Sequence, residues 1–262
     1  LEERLSVGAV EGSLAGPLTV QNIRYRDPVS GLDVAVGHAS VDVELPALLH
    51  MTVQVRAAEI RGVDVALGKP QPDEPEEPFS LQPPLDILIE RFTLDQATVR
   101  RDDRQLVAIT RADFIGSWTD AGVTVRQLEV QSPQGEAHFA GNVAHDGLYS
   151  GKGDGRFRWQ VGELRYAGNI AAEAAGGQVQ LQIRMSSPLE ARLTASLAQS
   201  NTLPWKFALE VPRFDPREEL LPDTSLQALD ASLSGTGTLA DGTITGSVTV
   251  NDVPLRLDPL RF

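Results

Sequence analysis

The side chains best able to do chemistry are few and scattered. There are four histidines, His38, His50, His138 and His145, and no two share a spacing that would place them on one zinc ion. The chain has no cysteine, so disulfides, thiolate nucleophiles and cysteine-based metal sites are excluded. In Gly12-Ser13-Leu14-Ala15-Gly16 the serine stands second rather than central, so the segment is not a nucleophile elbow. Gly151-Lys152-Gly153-Asp154-Gly155 lacks the Lys-Ser/Thr ending and the helix that a phosphate loop needs. It reads as a kinked strand or a bulge. The Asp and Glu residues alternate with apolar ones, which puts them on a solvated face rather than in facing acid–base pairs. The expectation is a protein that is not an enzyme and holds no cofactor and no metal.

Charge narrows the partners. Acidic residues outnumber basic ones 36 to 23, for a net charge of −13. Binding nucleic acid or an anionic bilayer surface needs a Lys/Arg patch that displaces counterions, and none is evident. The nearest run, Arg100, Arg101 and Arg104, surrounds Asp102 and Asp103 and reads as a solvated charged turn. No stretch approaches the roughly 20 apolar residues that cross a membrane as a helix, and no signal peptide is visible. The chain opens Leu1-Glu2-Glu3-Arg4. We read it as a piece of a longer protein whose export or anchor segment lies outside it.

The elements that would position these residues are strands. Apolar residues make up 41% of the 262, yet aromatics only 5%. Val, Leu, Ala and Ile therefore carry the pattern. Val34 and Val36 flank Ala35, Val53 and Val55 flank Gln54, and Val63 and Val65 flank Asp64. The same alternation runs through Val123–Arg126, Leu128–Gln131, Val179–Ile183, Ala191–Leu197, Phe207–Val211 and Ser247–Val250. Period two with β-branched residues predicts strands with one apolar and one polar face. Turn signals recur between them: Asp27-Pro28 with Ser30-Gly31, Asp120-Ala121-Gly122, Pro133-Gln134-Gly135, Asp146-Gly147 and Asp241-Gly242. The spacing predicts antiparallel hairpins in a meander. Helical signals are short: a turn at Pro46–His50 and a capped segment from Asp215 to Leu221 with Pro216 at its first position. Residues 171–176 fit strand or loop. The prolines and acids of Lys69–Pro78 mark an exposed loop over 68–84, a possible sub-boundary in one continuous segment over 1–262.

About eighteen strands spaced about 4.8 Å apart would make an open sheet roughly 80–90 Å wide. A sheet apolar on one face must cover that face. No amphipathic helices are available. A second sheet, closure into a barrel, or curling around the apolar face remain. The modest side chains and the scarcity of aromatics favour an unfilled trough, in which each buried methylene of an acyl chain is worth about 0.8 kcal/mol. A closed sandwich with an adhesive surface is a rival. An outer-membrane barrel fits least, because aromatic girdles are missing.

Residues 7–67 carry a resemblance. Val10-Glu11-Gly12-Ser13-Leu14-Ala15-Gly16-Pro17-Leu18 is followed by Ile23-Arg24-Tyr25-Arg26-Asp27. The strand through Val41, the turn Pro46-Ala47-Leu48-Leu49 and Ala58-Glu59-Ile60-Arg61-Gly62-Val63-Asp64-Val65 come next. This order resembles the N-terminal part of the TamB family, the inner-membrane-anchored subunit of the translocation and assembly module and one of the AsmA-like, bridge-like lipid-transfer proteins. The resemblance implies an all-β, elongated, mostly antiparallel sheet curled into a U-shaped, taco-like groove with an apolar interior and few short helices. It implies a periplasmic place in a Gram-negative envelope and transport of phospholipid between the inner and outer membranes. It also implies a part in outer-membrane biogenesis with TamA, an outer-membrane barrel, reached through regions outside this chain. The Trp that often precedes the family's Pro-x-x-Leu-Leu-like turn is replaced here by Glu44-Leu45. On this reading the groove lining for phospholipid acyl chains is Val34, Val36, Val53, Val55, Val63, Val65, Val125, Val130, Leu181, Ile183, Leu193, Leu209 and Val250. The alternative role is a scaffold or chaperone that pairs its strand edges with unfolded outer-membrane proteins.

Overall fold

The computed structural model describes residues 4–13, 16–68, 83–101, 104–215, 217 and 227–261. Strands dominate it, with a 3-10 helix at Leu45–His50. The chain packs as two compact units, residues 1–136 and 137–262.

The first unit holds β1 (Leu5–Ser6), β2 (Val10–Gly12), β3 (Leu18–Asp27), β4 (Leu32–Val43), β5 (Thr52–Leu67), β6 (Asp86–Arg101), β7 (Arg104–Thr119) and β8 (Gly122–Ser132). β1 and β2 both pair with β3, and the rest follow in chain order. All neighbours are antiparallel except β5 and β6, which run parallel with Thr52 beside Asp86 and Leu67 beside Arg101. A parallel neighbour needs a connection that returns the length of the strand, here about 50 Å. Most of the expected Pro-rich loop, residues 69–82, lies outside the described residues.

Local chemistry fixes the turns. The Asp27 carboxylate accepts from the Val29 N–H at 3.2 Å and from the Ser30 hydroxyl at 2.7 Å, and Gly31 supplies the left-handed φ of 72° that closes the turn. Pro46 opens the 3-10 helix, which stops at Met51 in the left-handed region with its N–H on the Leu48 carbonyl at 3.1 Å. Of the expected capped segment at 215–221, Asp215 and Arg217 are described. The Asp215 carboxylate accepts from the Arg217 guanidinium and its N–H, which hold its pKa at about 2.

The second unit is a meander of β9 (Gly135–Asp146), β10 (Leu148–Val161), β11 (Leu164–Ala175), β12 (Gln178–Ser187), β13 (Ala191–Ala198), β14 (Trp205–Phe214), β15 (Leu229–Gly237), β16 (Gly242–Val250) and β17 (Val253–Arg261). β9 pairs with β10, and every later pair is antiparallel. The ambiguous segment 171–176 is the end of β11, turning at Gly176 and Gly177. The Gly151–Gly155 run, expected as a kinked strand or a bulge, passes through β10 in unbroken register with β11. Gly151 takes a positive φ of 144°, while Gly153 and Gly155 lie against the Phe139 ring.

The fold is all-β and open, as expected, and has little core. Among the described residues the buried apolar side chains are Ala97, Ala112, Pro188 and Ala228, and no Val, Leu, Ile, Phe or Trp is buried. A sandwich or a filled barrel would bury dozens of larger ones.

Candidate functional site

Cross-strand partners lie on the same face of a sheet, so the register says where the apolar side chains gather. In the first unit Val20, Ala39, Ile60, Leu94, Ala112 and Val130 form one row across six strands. Beside it run Leu18, Val41, Ala58, Phe92, Phe114 and Leu128, then Val43, Val55, Ile89, Gly116 and Val125. On the other side run Ile23, Val36, Val63, Ala97 and Ile109, then Tyr25, Val34, Val65, Val99 and Val107. None of these positions carries a charge.

Strict alternation could not keep this set together over sixteen residues, and the strands do not alternate strictly. Val43 pairs with Val55 and Val41 with Ala58, so β5 spends one extra residue between them. β6 does the same between Ile89 and Phe92, and β8 between Val125 and Leu128. A bulge of this kind returns the next apolar residue to the face it would otherwise leave. A second level crosses Asn22, Gly37, Gly62, Gln96 and Thr110, each outside the ladder. Asn22, Gly62 and Gln96 are left-handed there, with φ of 53°, 66° and 58°. The apolar series changes parity at this level in all five strands. β5 and β6 thus repeat their apolar pairs every five residues: 53 and 55, 58 and 60, 63 and 65 in one, 87 and 89, 92 and 94, 97 and 99 in the other.

The opposite face is polar and paired. Arg24 and Arg26 both donate to Asp33, at 2.7 and 2.9 Å, and these guanidiniums hold the Asp33 carboxyl well below the usual carboxylate range. Arg111 donates to Asp113 at 2.6 Å, Thr93 donates to the same carboxylate at 3.0 Å, and both lower its pKa. Arg61 pairs with Glu59, and Arg100 with Asp64 at 2.9 Å. That last contact gives one arginine of the expected charged turn a partner across the sheet; Asp102 and Asp103 lie outside the described residues.

In the second unit Ile170, Ile183, Leu193, Leu209, Leu233 and Gly246 form one row, and Gly153, Ala172, Leu181, Ala195, Phe207, Gly235 and Ile244 another. Val250 shares this face through its pairing with Leu229, and no charged residue interrupts the rows. Aromatic rings on this face lie over glycines. A methyl built on Gly153 would stand 3.0 Å from the Phe139 ring, and one on Gly168 3.1 Å from Phe157. In the first unit the Phe114 ring lies over Gly116 of its own strand, 2.6 Å from where a methyl would stand. This is what Gly153 and Gly155 contribute, and sequence reading missed it.

All thirteen residues expected to line a groove therefore fall on the apolar face of their own unit. Val34, Val36, Val53, Val55, Val63, Val65, Val125 and Val130 do so in the first, and Leu181, Ile183, Leu193, Leu209 and Val250 in the second. All are half-buried. The histidines do not converge. His38 lies opposite Gln21 and Arg61, and His145 packs on Tyr149 with ring centroids 4.7 Å apart. Among the described residues no three His, Asp or Glu gather as a metal site, and no helix is long and apolar enough to cross a membrane.

Each unit is an open sheet with an uncharged apolar face of half-buried side chains, and in the first unit the opposite face carries ion pairs; this defines a class of open-sheet protein that presents an apolar surface. The family described as TamB, N-terminal domain, matches residues 1–108 and again 78–255. Together these matches take in nearly the whole chain, and the chain belongs to the TamB family, a family of cell-envelope proteins. No curated protein and no solved structure matches it.

Proposed function

We propose that this chain is a wall segment of a periplasmic, bridge-like conduit that carries phospholipid between the inner and outer membranes, without catalysis and without a cofactor. One observation carries the reading: within each unit the apolar face is continuous and uncharged, and its large side chains stay half-exposed. A face of this kind on a monomeric protein marks a binding surface. The row from Gly153 to Ile244 crosses seven strands, β10 to β16, or about 29 Å, against roughly 15 Å for the hydrocarbon of one leaflet. An acyl chain fits along it, gaining about 0.8 kcal/mol per methylene removed from water. Headgroups stay in solvent. The lining acts passively, and its thirteen residues are those named above. The full-length protein is anchored in the inner membrane and meets a TamA-like barrel through regions outside this chain.

The test is a photo-crosslinking residue placed in the full-length protein in cells. At Val125 or Leu181 it is expected to give lipid adducts. Thr124, which alternates with Val125 and faces Ser117, is the control and is expected to give none. Equal yields at the two kinds of position would end the lining assignment.

A further inference from the structure

We infer that Gly235 and Gly237 are positioning residues: they seat the Phe207 and Trp205 rings flat on the sheet and so set the clearance above it for an acyl chain. The inference rests on the groove reading above. Side chains in strands stand roughly perpendicular to the sheet. A Phe or Trp in that pose would rise well above the Val, Leu and Ala around it. In β14 both rings instead lean across to the next strand. Phe207 is directly opposite Gly235 and Trp205 opposite Gly237. A methyl on Gly235 would lie 2.5 Å from Cε1 of Phe207 and 3.1 Å from the Trp205 indole; one on Gly237 would lie 2.6 Å from that indole and 2.3 Å from the Asp241 carbonyl oxygen, so both the ring and the turn backbone crowd it. The two rings are nearly parallel, 18° apart, with centroids 6.1 Å apart, so they tilt together. The indole N–H donates to the Thr238 carbonyl at 2.9 Å, which fixes the lean.

Glycine is a costly residue in a strand, because it weakens the backbone and packs nothing itself. Here the lost side chain is replaced by a ring from the neighbouring strand. The result is a face of nearly even height built from very uneven residues. Elsewhere Phe139 on Gly153 and Phe157 on Gly168 repeat the arrangement. The ligand it suits is a straight polymethylene chain, which needs length and clearance but no pocket.

Gly235 is the residue to change, because the three atoms nearest its would-be methyl are all ring atoms and its φ is not in the left-handed region. The experiment places a photo-crosslinker at Leu209 in the full-length protein and compares lipid adducts in the parent, Gly235→Ala, and Gly235→Ala with Phe207→Leu. The added methyl must lift the Phe207 ring into the path. Adduct yield is expected to fall about tenfold, the equivalent of roughly two lost methylene contacts. Removing the ring in the double variant is expected to restore it at equal protein level. An unchanged yield in Gly235→Ala would overturn the inference. So would a loss that Phe207→Leu does not repair, since that is a folding defect and not a raised ring. Absence of adducts in the parent itself would instead overturn the groove reading.

Discussion

At the scale of single residues the two faces obey different rules. The polar face is held by exposed ion pairs, each worth little on its own. Asp33 is the best placed, because two guanidiniums converge on it. Its folded pKa lies below its unfolded value of about 3.9, so its contribution is present above that pH and is lost as pH falls through the folded value. Asp33→Asn is expected to lower the melting temperature at pH 7, and the gap from the parent to close in strong acid. Equal melting curves at neutral pH would remove Asp33 from the account. Which residues are apolar within each short run was legible from alternation, as Val34 and Val36 or Val63 and Val65 show; which of them pair across strands was not. That glycines such as Gly153 carry rings was not, because the ring comes from a different strand and local sequence holds no record of its neighbour.

At the scale of elements, alternation gave the strands and the Gly, Asp and Pro signals gave the turns. Two features escaped. The parallel pairing of β5 with β6 depends on a connection between them that carries no strand signal. The bulges were hidden because each short run still alternates: Val53-Gln54-Val55 and Ala58-Glu59-Ile60 read as ordinary strand, and only the three-residue step between them betrays the extra residue. Physically, that step decides which face Val53 and Val55 occupy. Deleting Arg56 therefore should turn the start of β5 over and put its valines among the charges. Loss of a cooperative urea transition is the expected result. A deletion variant that unfolds like the parent would mean that the register absorbs the change elsewhere.

At the scale of the whole chain, composition excluded much, and the few aromatics correctly pointed away from a filled interior. The lipid role separates from strand addition by one substitution. Leu181→Asp puts a carboxylate among acyl chains, where burying it is costly, while backbone pairing at a strand edge tolerates it. Lipid recovered by mass spectrometry from purified full-length protein is expected to drop sharply in this variant, with outer-membrane protein assembly unaffected. The opposite pattern would favour the chaperone role. The five-residue cadence of β5 and β6 also bears on how such a protein can change over evolutionary time. Because the bulges of neighbouring strands sit level with one another, a lone codon gained or lost throws one strand out of step with both neighbours. Relatives are thus expected to differ in blocks of five codons shared by adjacent strands, or by entire hairpins, and seldom by ones and twos.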